Sequence, residues 1–233
     1  MEVLALLYDV HGNLTALEAV LADARGQGAT GHMIGGDVAL FGPRPGETVA
    51  RLQELQGATW IRGNGERWTA APSEAPEGDP VQAAITFARC TLGDDLVREL
   101  AALPQSADID GTTRAWHGSP VSDVRSFSVQ GGDDEAELLS GVTQRRLVFG
   151  HTHLPFRRTA QQGVELVNPG SVGMPFDGDP RAAYALIGPD GEVHHRRVTY
   201  DHATAAALLR TEHADAPWAA IVADRIEHAR VQA

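Results

Sequence analysis

Cysteine is nearly absent from this chain, and its scarcity limits where the protein can work. Cys90 is the only cysteine among 233 residues, so no disulfide can form within the chain. Disulfide frameworks belong to oxidising compartments, and their absence fits a reducing one. Cys90 falls in a helix-like stretch, residues 83–92, and we expect its thiol to be buried and inert rather than reactive.

Long apolar segments are also missing. No stretch approaches the ~20 apolar residues that a membrane-spanning helix needs. The start Met1-Glu2 is not basic, and the apolar run over residues 3–8 stops at Asp9, so the pattern of a signal peptide is not met. These features predict a cytoplasmic protein that has no membrane partner.

Positive charge is scarce relative to negative charge. The chain has 19 basic and 31 acidic residues, which give a formal net charge of −12 at pH 7. A surface of this sign repels nucleic-acid backbones and anionic membranes unless something reverses the field locally. Nucleic acid is therefore not expected as a partner.

Motifs for two common kinds of chemistry are absent as well. No Gly-x-Ser-x-Gly elbow occurs, and Cys90 has no nearby cationic motif that would activate it as a nucleophile. Gly35-Gly36 and Gly63-x-Gly65 are rich in glycine, but no Gly-x-Gly-x-x-Gly or Walker lysine accompanies them. We therefore expect neither a covalent enzyme intermediate nor a nucleotide-binding glycine loop.

The first part of the sequence alternates strand-like and helix-like segments. Residues 3–8 form a continuous apolar run, which is typical of a strand buried on both faces. Asn13 can cap the helix that follows. Residues 33–34 and 59–61 predict two further short strands, with helical spacing between them. This alternation implies right-handed crossovers and at least a partly parallel sheet.

The segments after residue 70 differ from the first part in composition and in predicted structure. Residues 70–80 are rich in proline and acidic side chains, and two helices are expected over 81–91 and 94–103, so 70–103 is a candidate cap or loop insertion. Helices are expected again from about His202. Three turns predict β-hairpins: Asp110-Gly111, Gln162-Gly163 and Asp190-Gly191. Two facing sheets covered by helices, in a single domain over residues 1–233, satisfy the whole pattern.

Five short polar clusters each follow an apolar, strand-like run. They are Asp9-Val10-His11, Gly36-Asp37, Gly63-Asn64, His117-Gly118 and Gly150-His151-Thr152-His153. In layered α/β proteins the loops that leave strand ends gather along one edge, where ligands bind. The sequence therefore predicts one site built from Asp9, His11, Asp37, Asn64, His117, His151 and His153.

These side chains suit transition metals. Asp-x-His and His-x-His would each place two ligands on the same side of an extended segment, although a loop could aim the two histidines at different ions. Imidazole with carboxylate and amide oxygen suits Mn²⁺, Fe or Zn²⁺ better than Ca²⁺ or Mg²⁺. Seven ligands are too many for one tetrahedral zinc and about right for two ions that share a carboxylate. Each cluster alone has a structural explanation, such as a polar turn or a helix cap, so the combination carries the prediction.

The order of the five clusters resembles the calcineurin-like metallophosphoesterase superfamily. The segment Asn168-Pro169-Gly170-Ser171-Val172-Gly173 is similar to its small bacterial and archaeal phosphodiesterase branch. The resemblance covers roughly residues 3–198 and implies an α/β fold, a four-layered α-β-β-α sandwich with mixed sheets. It also implies hydrolysis of small phosphodiesters or phosphomonoesters by a hydroxide that bridges two divalent metals. Mn²⁺ is the expected metal, with Fe, Zn²⁺ and Ni²⁺ as alternatives.

The same resemblance assigns a role to each ligand. Asp9, His11 and His153 would bind the first metal, Asn64, His117 and His151 the second, and Asp37 would bridge the two. Asp37, Asn64 and His117 would act in catalysis through the metals and the shared hydroxide.

One position departs from the family pattern. Many members carry a histidine after the Gly-Asn pair, where it protonates the leaving group, but in this chain Gly65 follows Asn64. General acid catalysis typically contributes ~10²–10⁴-fold, so its loss favours good leaving groups or requires another donor. Two alternatives to a phosphodiesterase therefore stay open. One is a phosphomonoesterase of the protein phosphatase or nucleotidase type, and the other is a weakly catalytic metal-binding scaffold.

Contacts to the substrate are harder to assign. Arg44, Arg62 and Arg181 are candidate phosphate clamps because guanidinium forks match phosphate oxygens, and the alternative for each is a surface ion pair. Ser171 either supports the site through hydrogen bonds or only forms a turn. The expected partner is a small-molecule phosphate ester. The sequence leaves open the natural substrate, the resident metal and association into a homo-oligomer.

Overall fold

A computed structural model describes residues 2–231, which form ten strands and seven helices. Met1 and residues 232–233, which the expected domain includes, lie outside the described range. The strands are β1 (Val3–Leu7), β2 (Ala29–Ile34), β3 (Thr59–Trp60), β4 (Ser106–Asp108), β5 (Thr113–Trp116), β6 (Arg146–Val148), β7 (Phe156–Thr159), β8 (Glu165–Asn168), β9 (Ala182–Ile187) and β10 (Val193–Val198). The helices are α1 (Leu14–Gly26), α2 (Pro45–Gln53), α3 (Asn64–Ala70), α4 (Asp79–Ala101), α5 (Glu135–Leu138), α6 (His202–Glu212) and α7 (Pro217–His228).

The strands form two five-stranded mixed sheets. The first has the order β10-β9-β1-β2-β3, in which β1, β2 and β3 are parallel to one another, β9 is antiparallel to β1, and β10 is antiparallel to β9. The second has the order β4-β5-β6-β8-β7, with β5, β6 and β8 parallel and the two edge strands antiparallel. All five strands that precede the polar clusters belong to the parallel sets, so within each sheet their carboxyl ends lie at the same edge.

Strand β1 shows why the layers form. Its alternate side chains Ala5 and Leu7 belong to the core between the first sheet and the helices, whereas Leu6 belongs to the core between the two sheets. A third apolar cluster covers the outer face of the second sheet, where Phe149 packs with Phe127 and other buried residues. Burial on both faces explains the uninterrupted apolar run, and the four-layered α-β-β-α arrangement is confirmed.

The three expected hairpins are present as β4–β5, β7–β8 and β9–β10, and α6 and α7 form the expected helical C-terminal part. The segment 70–103 forms a short 3₁₀ turn at Pro72–Glu74 and then α4, which packs against α2, α3 and α7. Gly93, with φ of 76°, interrupts α4 between the two helices that the sequence predicted. Within residues 2–231, no helix combines the length and the apolar character needed to cross a bilayer.

The expectation for Cys90 is wrong, because its thiol is exposed. The inward face of this part of α4 is formed by Ala84, Ile85 and Ala88. Cys90 follows Ala88 by two positions, which is about half a turn of an α-helix, so it lies on the opposite face. The apolar residues around Cys90 suggested that it is buried, but it lies on the face of the helix that is turned away from the core.

Candidate metal centre

The loops that follow β1, β2, β3, β5 and β6 meet at one edge of both sheets. The backbone amide of Asp9 donates to the carbonyl of Gly36 (3.2 Å), and that of Gly150 donates to the carbonyl of His117 (2.7 Å). Between the sheets, the amide of His151 donates to Oδ2 of Asp9 (3.0 Å). The structure thereby brings together the seven side chains that the sequence singled out: Asp9, His11, Asp37, Asn64, His117, His151 and His153.

One group of candidate ligands consists of Asp9, His11 and His153. Nε2 of His11 lies 3.0 Å from Nε2 of His153, and Oδ1 of Asp9 lies 3.9 Å and 3.5 Å from these two nitrogens. Nδ1 of His11 is 2.8 Å from the carbonyl oxygen of Leu40, and Nδ1 of His153 is 2.6 Å from that of Met174. Since Nδ1–H donates to a carbonyl in each ring, both Nε2 lone pairs face the group.

The second group is formed by Asp37, Asn64, His117 and His151. Nδ1 of His117 contacts the carbonyl oxygen of Gly35 (2.8 Å), which leaves Nε2 to face Oδ1 of Asp37 at 3.5 Å and Oδ1 of Asn64 at 3.1 Å. The same end of the Asn64 amide lies 2.8 Å from Nδ1 of His151. Ring nitrogens, an amide and a carboxylate therefore converge here as well.

The donor atoms in both groups fit divalent cations. Within residues 2–231, Oδ1 of Asp9 is buried and has no hydrogen-bond partner, and the amide oxygen of Asn64 faces only acceptors. Buried polar atoms are normally satisfied, so such orphaned lone pairs need an explanation. A divalent cation would supply it, because carboxylate, amide oxygen and neutral imidazole are all electron-pair donors.

Both carboxylates lie between the two groups. Asp37 presents Oδ1 to Nε2 of His117 (3.5 Å) and Oδ2 to Nε2 of His11 (4.0 Å). Asp9 presents its free Oδ1 to His153 (3.5 Å) and also to His117 (3.8 Å). The bridging role assigned to Asp37 stays a prediction, and the geometry allows Asp9 to contribute to both groups.

Five of the seven candidate ligands have left-handed backbone conformations. Their φ angles are 53° for Asp9, 48° for His11, 52° for Asp37, 65° for His151 and 58° for His153. Each such conformation costs roughly 1–2 kcal/mol for a residue with a side chain and is typical of functional sites. The expected extended backbone is therefore wrong at Asp-x-His, although Asp9 and His11 do lie in the same group. For His151 and His153 the other alternative that the sequence left open applies, because the loop sends one histidine to each group.

The loop 168–173 holds these strand ends in place. Nδ2 of Asn168 donates to the carbonyl of Gly150 (3.0 Å), and Oγ of Ser171 donates to the carbonyl of Asp9 (2.7 Å). Both side chains are fully buried. Ser171 therefore supports the site through hydrogen bonds, which was one of the two roles that the sequence left open.

Glu66 is a site residue that the sequence analysis missed. This buried carboxylate accepts hydrogen bonds from the amides of Asp37 (2.9 Å), Val38 (2.9 Å) and Gly63 (2.7 Å). It joins the loop that carries Asp37 to the loop that carries Asn64. The glutamate at the third position of α3 was a visible signal, because a residue there often reaches back to the helix cap.

The space at Gly65 is occupied by the Asp37 carboxylate. The amide of Gly65 donates to Oδ1 of Asp37 (2.6 Å), and a Cβ atom on residue 65 would lie 2.9 Å from that oxygen. A histidine at this position, as many family members carry, would require Asp37 to shift. Glycine at position 65 therefore leaves the room that the Asp37 carboxylate occupies.

The three candidate phosphate clamps lie in different surroundings. Nη2 of Arg44 donates to Oε1 of Glu212 (2.6 Å), and Nη2 of Arg181 donates to Oδ2 of Asp179 (2.6 Å). Arg62 instead lines a cavity that adjoins the metal centre. Arg44 and Arg181 thus form ion pairs, which the sequence analysis gave as the alternative to phosphate binding. Phosphate binding by the three arginines stays a prediction.

Burial and mutual contact shift the pKa values of the site. Burial and His153 lower the pKa of His11 to about 3, and burial with His117 lowers that of His151 to about 4. Burial would raise the pKa of Asp9, but His153 and the other histidines hold it below its usual value. Burial raises the pKa of Asp37 to about 7. For His117, burial is outweighed by Asp37 and Asp9, which raise the pKa to about 9.

These pKa values predict that metal affinity rises with pH. Below about pH 9 the free site holds a proton on His117, and below about pH 7 a second on Asp37. A cation must displace these protons, so we expect Mn²⁺ affinity to fall about tenfold per pH unit between pH 9 and 7, and more steeply below pH 7. Isothermal titration calorimetry in two buffers of different ionisation enthalpy measures both the affinity and the protons released. Affinity that is constant across this range, with no proton release, would contradict the prediction.

Comparison with known proteins identifies the family. Residues 1–191 match the calcineurin-like phosphoesterase superfamily domain. The phosphodiesterase YfcE of Escherichia coli (strain K12) is 29% identical over 194 residues, which cover 78% of this chain and 85% of that protein. The crystal structure of a metallophosphoesterase from Sphaerobacter thermophilus is 28% identical with a TM-score of 0.82, and the match covers 98% of this chain and 99% of that one. This chain therefore belongs to the calcineurin-like phosphoesterase superfamily.

Proposed function

We propose that this protein is a metal-dependent phosphodiesterase that hydrolyses small phosphodiesters at a centre of two divalent ions, with Mn²⁺ as the metal that its ligands suit best. The observation that carries the proposal is the convergence of two groups of candidate metal ligands around Asp9 and Asp37, within a chain of this superfamily. A cytoplasmic location, expected from the sequence, is part of the same proposal.

Bound divalent ions lower the pKa of water to near neutrality and offset the charge on phosphate oxygens. The protein's own part is to hold the ligands in place. Carbonyl contacts at Nδ1 of His11, His117 and His153 orient each ring, so that Nε2 is the nitrogen left to bind a metal once it is deprotonated. Asp9 and Asp37 supply negative charge between the groups, which reduces the repulsion between two cations.

Gly65 shapes the substrate preference in this proposal. Position 65 offers no side chain that could protonate a leaving group, and the nearby space is filled by Asp37. We therefore expect esters with good leaving groups, such as aryl esters, to react faster than alkyl esters.

Hydrolysis assays on EDTA-treated protein test the proposal. With added Mn²⁺ we expect turnover of bis(p-nitrophenyl) phosphate that exceeds turnover of p-nitrophenyl phosphate, and we expect EDTA to abolish it. Faster turnover of the monoester would favour a phosphomonoesterase. No turnover with Mn²⁺, Fe²⁺, Zn²⁺ or Ni²⁺, despite tight metal binding, would favour the scaffold and reject the enzyme.

A further inference from the structure

A polar cavity of about 260 Å³ opens beside the metal centre. His117 belongs both to its wall and to the second group of candidate ligands. The other walls come from Arg62, from Gln105 in the α4–β4 connection, from Trp116 at the end of β5, and from the turn that follows His117. Its volume corresponds to about eight or nine water molecules at ~30 Å³ each, so it can take a group the size of a sugar or a small ring.

Two arginines line this cavity, and only one of them forms a direct ion pair. Arg67 donates to both carboxylate oxygens of Asp123 (2.7 and 2.6 Å) and to Glu74 (2.8 Å). Arg62 donates from Nη1 to the carbonyl of Ala101 (3.2 Å). Across residues 2–231, no carboxylate forms an ion pair within 4.0 Å of its guanidinium nitrogens. Asp123, which also lines the cavity, attracts Arg62 at longer range but is bound directly to Arg67. In a chain of net charge −12, a guanidinium that lines a cavity and has no direct carboxylate partner is available to bind an anion.

Arg62 lies two residues before the candidate ligand Asn64, but it is anchored on a different part of the chain. Its backbone amide donates to the carbonyl of Pro104 (2.9 Å), and its side chain is anchored to Ala101 at the end of α4. This part of the chain supplies none of the seven candidate ligands. The cavity is therefore lined by two features that can bind anions, the metal centre at His117 and the guanidinium of Arg62.

We propose that this cavity selects phosphate esters whose organic group carries a second anionic group, such as another phosphate, which binds Arg62. The inference rests on the proposed function, since the reacting phosphate lies at the metal centre. The half-buried ring of Trp116 offers the organic group between the two anions an apolar surface. A second charge on the substrate, rather than its length alone, determines the preference.

A matched pair of chromogenic esters tests this specificity. Thymidine 5′-(p-nitrophenyl phosphate) and its 3′-phosphorylated form differ only in the second anion, and both release p-nitrophenol. With Mn²⁺ we expect kcat/KM to be on the order of 10- to 100-fold higher for the 3′-phosphorylated ester, mainly through a lower KM. Arg62→Gln should remove this preference, and Arg62→Lys should retain part of it. Arg98→Gln, which changes an exposed arginine on α4, should leave it intact.

Two kinetic results would overturn the inference. The first is an equal kcat/KM for the two esters in the wild-type protein. The second is an equal loss of kcat/KM for both esters in Arg62→Gln, because it would show that the guanidinium contacts the reacting phosphate. Calorimetric binding of thymidine 3′,5′-bisphosphate against thymidine 5′-phosphate gives a readout without turnover. Tighter binding of the bisphosphate, lost in Arg62→Gln, would support the cavity even in a protein that fails to hydrolyse either ester. Equal binding would reject it while leaving the hydrolysis of simple diesters untouched.

Discussion

Replacing Asp37 with asparagine is expected to abolish hydrolysis and the binding of at least one metal ion together. The Asp37 carboxylate presents one oxygen to each group of candidate ligands, and asparagine keeps its shape but removes its charge. Losing an anion between two cations should cost several kcal/mol, which corresponds to roughly a 10³-fold lower kcat on bis(p-nitrophenyl) phosphate. Metal content, measured by mass spectrometry on the same samples as the rate, shows whether activity and metal are lost together.

A control and a stability measurement separate this effect from misfolding. Asp95→Asn changes a carboxylate on α4 whose side chain is 97% exposed, and it should leave rate and metal content unchanged. In EDTA, Asp37→Asn should melt no lower than the wild type above pH 7, because burial opposes the charged form of Asp37. Near-normal hydrolysis with two bound ions in Asp37→Asn would rule out a bridging role.

Replacing Glu66 is expected to cause the largest loss of stability. Glu66→Ala leaves three buried backbone amides, those of Asp37, Val38 and Gly63, without their acceptor. At about 1–3 kcal/mol for each unsatisfied group, with water replacing part of the loss, we expect the free energy of unfolding to fall by about 3–5 kcal/mol. Glu66→Gln keeps one acceptor oxygen and should lose less. Urea unfolding in EDTA measures both.

The same substitutions should also weaken metal binding, since Glu66 holds the loops of Asp37 and Asn64 in register. We expect Mn²⁺ affinity to fall about 10- to 100-fold in Glu66→Gln, as is usual when a residue that orients ligands is changed. Glu74→Gln removes an exposed glutamate paired with Arg67 and should change stability by no more than about 0.5 kcal/mol. If Glu66→Gln behaved like Glu74→Gln, Glu66 would have no positioning role.

Several features of the fold could be predicted because they depend on local pattern. An uninterrupted apolar run marks a strand that is buried on both faces, and β1 is such a strand in the middle of its sheet. Glycine-containing turns mark hairpins because they accept positive φ, as at Gly111 and Gly191. Cys90 shows the limit, because apolar composition does not specify which face of a helix turns inward.

Other features could not be predicted because they depend on contacts between distant parts of the chain. Glu212, which pairs with Arg44, is 168 residues away in sequence, and Asp123, which pairs with Arg67, is 56 residues away. No local pattern indicates that Arg62 lacks such a partner. Which arginine remains available to an anion is therefore a property of the folded molecule.

The sequence by itself determined the chemical identity of the site: seven carboxylate, imidazole and amide side chains, each placed at the end of an apolar strand. Residue type decides which ions a group can bind, and strand ends meet at one edge whatever the details of packing. The family resemblance also assigned His151 and His153 to different metals. Only the tertiary structure decided how the ligand loops are held, with left-handed backbone at five ligands and Glu66 joining two loops. Left-handed backbone at the ligands is costly locally, so it exists only where the surrounding fold enforces it.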